Sequence, residues 1–259
     1  MEARANFNVA AIAGMPLFAT GMCIAEQIAA AMDRSGEALR SGDIVVVAQK
    51  IVSKAEGRAV SLAEVTPGAD ARLLAEQTGR PASLAQLILD ESEAMMRASK
   101  AAIIVRHRTG HVLANAGIDA SNIEGGDADA VLLWPVDPDA SARAIRARLF
   151  ELTGVRPAVV IADSLGRAWR IGTVGTAIGC AGLAALEDRR GETDLFGRTL
   201  QATIIAVADS VAGMAVLAMG EGAEGTPAAI VRGAGKWVSN EDGAGAGAGL
   251  RALAEDMFR

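Results

Sequence analysis

The chain has 259 residues, of which 51% are hydrophobic but only 3% aromatic, with no tyrosine. That length exceeds a typical single domain, and any core must rest on Val, Ile, Leu, Ala and Met. The formal net charge of -6 excludes a general nucleic-acid coat, which needs a surplus of Lys and Arg to neutralise phosphates.

Near the N-terminus the apolar stretch is interrupted by Gly14, Pro16, Gly21, Glu26 and Gln27 and lacks a basic leader. It predicts a loop and a helix, not a signal peptide. Cys23 and Cys180 are the only cysteines. Without Cys-x-x-Cys spacing they predict buried, reduced thiols and a cytoplasmic protein. Strand-like runs fall at Ile44–Ala48, Ala102–Arg106, Val131–Trp134, Ala158–Ala162, Ala202–Ala208 and Ala228–Val231. Each is short, apolar and bounded by Gly, Asp or Pro, as buried strands are.

Between these strands, Ser83 opens a predicted helix with Leu84, Leu87, Ile88 and Met95 on one face. Ser83 and Gln86 are spaced as a capping box. A second helix is predicted from Asp139 as N-cap to Gly154, burying Ile145, Leu149 and Leu152 and leaving Arg143, Arg146 and Arg148 solvated. The most lipid-like window, Thr203–Gly220, carries Asp209 and Ser210 at its centre. It predicts strand, turn and helix and no membrane span. Gly243–Gly249 alternates Gly and Ala and predicts a flexible linker to a last helix, Leu250–Phe258.

Two acidic signals stand out chemically. Asn115–Gly126 packs acids, carboxamides and glycines between two apolar runs, and Asp163-Ser164 ends a third run. Carboxylates leaving strands beside small polar groups suit a divalent cation shared with substrate phosphates. Each stretch taken alone reads equally well as a solvated turn. Past the run Ile44–Ala48 come Gln49, Lys50, Ser53 and Lys54, which suit a nucleotide's phosphates or base, or an ordinary charged loop. Met219–Pro227 offers glycine N–H groups to an anion and Glu221 as a metal oxygen, or a helix C-cap and turn. Arg167 and Arg170 follow the second acidic signal and would neutralise phosphate, or flank a loop anchored by Trp169. His107 and His111 have the spacing of a helical metal pair, but Arg106–His111 reads as a hairpin turn, where that spacing does not converge. No P-loop motif and no Gly-x-Ser-x-Gly elbow is present.

Taken in order, "GDIVVVAQKIVSKAEGR", "ANAGIDASNIEGG", "ADSLGRAWRIG", "DLFGRTL" and "MGEGAEGTPAAIVRG" resemble the coenzyme F-420:L-glutamate ligases over nearly the whole chain. The resemblance implies a stand-alone ligase that uses GTP to attach L-glutamate to the lactyl carboxylate of coenzyme F-420-0 through an acyl phosphate, then extends a gamma-linked chain. It implies two divalent cations (Mg2+ or Mn2+, with K+ as a further ion) and a cytoplasmic homodimer that engages neither nucleic acid nor membrane. By motif, Asp119 and Asp163 would hold one metal, and Ser164 and Glu221 would help hold the second. Met15, Pro16, Leu17, Phe18, Gln49, Lys50, Lys54, Asn122, Met219, Gly220, Gly222, Gly225 and Thr226 would contact the nucleotide. Arg167, with Arg170, would meet the cofactor's phosphodiester or the glutamate carboxylates.

One departure is Ser210, where the family usually carries Glu. It keeps open a gamma-glutamyl ligase for a folate-like or other aromatic carboxylate. A non-catalytic nucleotide-binding relative is the alternative from another class. The expected fold is α+β, a mixed, largely antiparallel sheet with flanking helices. It would form one ligase domain, 1–259, of two interleaved subdomains, the middle one inserted at about 80–160.

Overall fold

The computed structural model describes residues 6–120 and 130–256. Its first elements are β1 (Asn8–Ala11), α1 (Ile24–Arg34), β2 (Ile44–Ala48), α2 (Gln49–Ala55) and β3 (Ala59–Ser61). Then come α3 (Ala69–Thr78), α4 (Ala82–Asp90), β4 (Ser92–Ala98), β5 (Ile103–His107), β6 (Val112–Ala114) and β7 (Ala130–Leu132). The rest comprises α5 (Pro138–Thr153), β8 (Ala158–Gly166), β9 (Thr173–Ala181), β10 (Leu186–Asp188), β11 (Ile204–Ala206), α6 (Val207–Met219) and β12 (Ala228–Arg232).

The main sheet runs β1-β12-β2-β8-β9. Its pairs are antiparallel except β2 with β8, so the fold is α+β with a mixed, largely antiparallel sheet. The uninterrupted apolar run of β2 has a direct cause. Successive side chains point to opposite faces, and both faces are covered. Val45 and Val47 join α1 and α5 in one core, while Ile44 and Val46 join α6 in the other. A strand buried on both sides has no polar alternate. Helices α5 and α6 approach β9 closely because Gly179 and Gly175 leave room. A Cβ there would stand 2.4 Å from the Pro138 carbonyl carbon and 2.5 Å from the Ala212 carbonyl oxygen.

Between α2 and α5 the chain builds two smaller sheets, β3-β7 and β4-β5-β6, with α3 and α4 packed over a separate cluster that includes Leu74, Ile88, Ile103 and Val105. Of the segment 80–160, therefore, α4 and β4–β7 lie in this smaller unit, whereas α5 and the start of β8 join the main layers.

Several local expectations are corrected. Met95 lies on β4, not on the preceding helix. Pro81, not Ser83, is the N-cap of α4, and Gln86 accepts from the Gly68 N–H instead of closing a capping box. Asp137, not Asp139, caps α5, accepting from the Ala140 N–H. Asp139 instead receives the N–H groups of Cys180 and Ala246 at 2.7 and 2.8 Å.

That contact docks the Gly/Ala segment 243–249, where Ala246 is buried. No helix follows it among the described residues beyond the short turn Leu253–Glu255. Leu152 on α5 is exposed. Arg146 is 1% exposed instead of solvated, because its guanidinium serves the carbonyls of Pro157, Ser239 and Asn240 and the Asp242 carboxylate. The window Thr203–Gly220 resolves into β11 and α6 as expected, and no helix among the described residues is long and apolar enough to cross a membrane. Both cysteines are free, Cys23 half-buried and Cys180 buried. Burial pushes the Cys180 thiol up to about 12.

Candidate active site

A cavity of about 750 Å³ opens at the end of β2 and beside the middle of β8, within the range of small-ligand sites. Six sequence-distant segments line it: Met15–Phe18, Gln49–Ile51 with Lys54, Asp119, Asp163-Ser164, Thr173 and Met219–Pro227. The parallel pairing of β2 with β8 brings Ala48 opposite Ala162, so the polar residues that follow β2 and those that follow Ala162 within β8 open into the same space.

After β2 the chain turns at once into α2, so Gln49, Lys50, Ser53 and Lys54 stand on a helix and not on a loop. Gln49 is buried and its Oε1 accepts from the Ser53 hydroxyl at 2.8 Å. Lys50 Nζ lies 2.7 Å from Asp119 Oδ2, both side chains about one third exposed. Asp119 is held by its backbone: its N–H and C=O both pair with Leu132. A tight turn precedes it, with Asn115, Ala116 and Gly117 all at positive φ.

Asp163 sits just past an irregularity in the β8–β9 register. Its Oδ1 accepts from the Ser164 N–H and its Oδ2 from the Trp134 indole, both at 2.8 Å. Burial, reinforced by the Asp119 charge and opposed by those two hydrogen bonds, raises its carboxyl to about 6. The Ser164 hydroxyl donates to Glu221 Oε1 at 2.6 Å, and the Thr173 hydroxyl reaches the same oxygen at 3.5 Å. In the loop after α6, Gly222 N–H donates to Glu224 Oε2 and the Thr226 hydroxyl to the Met219 carbonyl. The glycine N–H expected to meet an external anion thus already holds an internal one.

This oxygen set fits a divalent cation. Two neighbouring carboxylates, one desolvated enough to resist ionisation, are the condition that a bound cation relieves. Asp119, Asp163, Ser164 and Glu221 supply hard donors. Among the described residues no three His, Cys, Asp or Glu side chains already form a metal cluster.

Other predicted residues lie apart. Arg167 and Arg170 stand on the turn between β8 and β9, outside the cavity lining, where Arg167 donates to the Gly172 carbonyl. Asn122 falls outside the described residues. His107 and His111 flank a hairpin as expected, and both ring Nδ1 atoms lie 2.9 Å from the Thr109 hydroxyl. Ser210 is exposed, donates to the Ala206 carbonyl and does not line the cavity, so the missing acid is not subtracted from this site. Two contributors carry no functional signal in the sequence: Thr173, and Trp134, which the sequence marks only as the end of a strand. Nothing local points to either, since their partners are Glu221 and Asp163 on other segments.

The sequence model of a family described as "F420-0:Gamma-glutamyl ligase" matches residues 14–233. The chain is 45% identical over 254 residues to the coenzyme F420:L-glutamate ligase of Methanothermobacter thermautotrophicus, covering 98% of this chain and 99% of that protein. It is 45% identical over 222 residues to the enzyme of the same name from Methanopyrus kandleri, covering 85% and 87%. For that of Haloarcula marismortui it is 42% over 231 residues, covering 87% and 86%.

Proposed function

The chain belongs to the F420-0:gamma-glutamyl ligase family, and from that premise we propose that it joins the amino group of L-glutamate to the lactyl carboxylate of coenzyme F-420-0, using GTP, and then extends the product by gamma-linked glutamate. The observation that carries this reading is the convergence of six distant segments, with their lysines, carboxylates and glycines, on one cavity.

A carboxylate is a poor electrophile and must be activated before an amine attacks it. In this reading GTP supplies the activation: the acceptor carboxylate oxygen bonds to the γ-phosphorus, GDP leaves, and the glutamate amine then displaces phosphate from the acyl phosphate. Lys50 and Lys54, in the first and last turns of the short helix α2, would neutralise and orient the phosphates. The 219–227 loop would exchange the Glu224 carboxylate for a phosphate oxygen at the Gly222 N–H. Met15–Phe18 would cover the base. Asp119, Asp163, Ser164 and Glu221 would hold divalent cations, Mg2+ or Mn2+, which when bound neutralise triphosphate charge. Catalysis would rest on positioning and charge neutralisation. Arg167 and Arg170, on a turn outside the cavity, would meet the acceptor's phosphodiester or glutamate carboxylates.

A cytoplasmic homodimer completes the proposal. Trp169 and Ile171 on the β8–β9 turn and Leu195 and Phe196 on the turn before β11 are almost wholly exposed, and exposed apolar residues of that size favour a protein contact.

The deciding experiment crosses GTP and ATP with F-420-0, with and without glutamate, reading phosphate release and product mass. Phosphate release that requires both co-substrates, with the mass of one added glutamate, supports the proposal. Tight GTP binding without turnover, or glutamylation only of a different carboxylate, sinks it.

A further inference from the structure

Trp134 is the largest wholly buried side chain of the protein, yet its polar edge is directed at a site carboxylate and not at the core. The indole N–H donates to Asp163 Oδ2 at 2.8 Å. The segment that carries it, running out of β7, also holds the other acid, because Leu132, two residues earlier, exchanges both backbone hydrogen bonds with Asp119 at 3.1 and 2.7 Å. One short segment therefore grips both acids, Asp119 by its main chain and Asp163 by a side chain.

The indole itself is fixed from several directions. His107 and His111 pack against it with ring centroids at 5.0 and 5.5 Å, and the Thr109 hydroxyl ties those two rings together. Arg58 Nε donates to the Trp134 carbonyl at 2.9 Å while its Nη2 pairs with Glu91. Gly117, in the turn that leads to Asp119, lies so close that a Cβ would stand 2.3 Å from the indole nitrogen. A ring packed this tightly cannot rotate away from the carboxylate.

We propose that Trp134 is a positioning residue that fixes the Asp163 carboxylate against Asp119, and that the His107–Thr109–His111 hairpin exists in part to hold the indole in place. This rests on the reading of Asp119 and Asp163 as cation ligands. Groups that orient a ligating carboxylate change metal affinity by roughly tenfold to a hundredfold when removed. Replacement by Phe keeps an aromatic ring between the histidines and removes the donor together with part of the indole's volume.

The test uses the full chain and Mn2+ alone as probe, with free Mn2+ followed by electron paramagnetic resonance. Wild-type protein is expected to bind Mn2+, and Trp134→Phe to bind it about tenfold or more weakly, with KM for glutamate unchanged and kcat lowered. A wild type that binds no Mn2+ overturns the cation reading and this inference with it. A Phe variant that binds Mn2+ as well as wild type overturns only the role of Trp134. A second measurement needs no substitution at Trp134: the indole N–H resonances of wild-type protein are followed during Mg2+ addition, assigned by elimination with Trp169→Phe and Trp237→Phe. The Trp134 resonance should move while that of Trp237, which donates to Glu187, stays. A Trp134 resonance that is stationary at saturating Mg2+ refutes the proposal, whatever the stability of the Phe variant.

Discussion

Lys50 Nζ and Asp119 Oδ2 form an ion pair of 2.7 Å at the mouth of the cavity, joining a residue expected to hold phosphate to one expected to hold a cation. The lysine therefore stands where a divalent cation would compete with it, and ligand binding must either displace it or share the carboxylate. With both side chains about one third exposed, such a pair is worth on the order of 1 kcal/mol or less, so displacement is inexpensive.

Lys50→Met separates the two roles. Turnover with GTP should fall about a hundredfold or more, as expected when a transition-state charge contact is lost, while Mn2+ binding without nucleotide should hold or strengthen because Asp119 is released. Isothermal titration with Mn2+ and steady-state kinetics measure the two effects. A parallel loss of both would show that Lys50 instead organises the carboxylate.

Asp163→Asn is nearly isosteric and removes a carboxylate that burial already disfavours. Metal-dependent turnover should drop by about a thousandfold, with the thermal midpoint unchanged or raised. Near-normal turnover in this variant would remove Asp163 from the site.

His111 contributes an acid-side loss of stability, opposed by Asp163, whose raised carboxyl contributes stability that is lost as pH rises through about 6. For His111, burial is the main cause of a pKa lowered from the ordinary 6.5. Below 6.5 the unfolded chain takes up a proton that the folded chain resists, so the contribution is complete above 6.5 and is lost as pH falls toward the folded value. Thermal midpoints measured between about pH 5 and 8 should decline at the acid end, and His111→Gln should flatten that decline. An unchanged slope would assign the acid sensitivity to other groups.

Arg146→Met leaves the carbonyls of Pro157, Ser239 and Asn240 and the Asp242 carboxylate without their donor. Asp242 is half exposed and regains water, so the cost is that of buried carbonyls left without a donor, about 1–3 kcal/mol. Urea unfolding monitored by circular dichroism should show a loss of that size. A change of less than about 1 kcal/mol, the level of an exposed pair, would mean water replaces the guanidinium.

Phe196→Asp places a charge on a turn that is ordered by Asp194, which accepts from the Phe196 and Arg198 N–H groups. If this turn joins two copies, light scattering after size exclusion should change from dimer to monomer mass. A dimer that persists in Phe196→Asp and in Trp169→Asp would exclude both turns from the contact.

Parts of this site are legible in the sequence. Asp119, Asp163, Ser164, Glu221 and Lys50 stand out as polar residues beside apolar runs, their roles are those the family resemblance implies, and the fold brings them to one cavity. Arg146 departs from its expected place because a helical face of three arginines looks solvated. Only the docking of residues 239–242 against α5 supplies the acceptors that bury it. Asp139 departs for a similar reason. A good capping residue stands two positions earlier, and the donors that reach Asp139 lie on β9 and at Ala246.

The chain's order of apolar and polar residues by itself determined where strands β2 and β12 run and where β8 begins, and the α+β class. Burial periodicity and turn chemistry are local properties, written within a few residues. The partners of Trp134, Arg146 and Asp139 were decided by tertiary structure alone. A hydrogen-bonding group carries no mark of which distant partner it will meet, and that choice is made only when the layers pack.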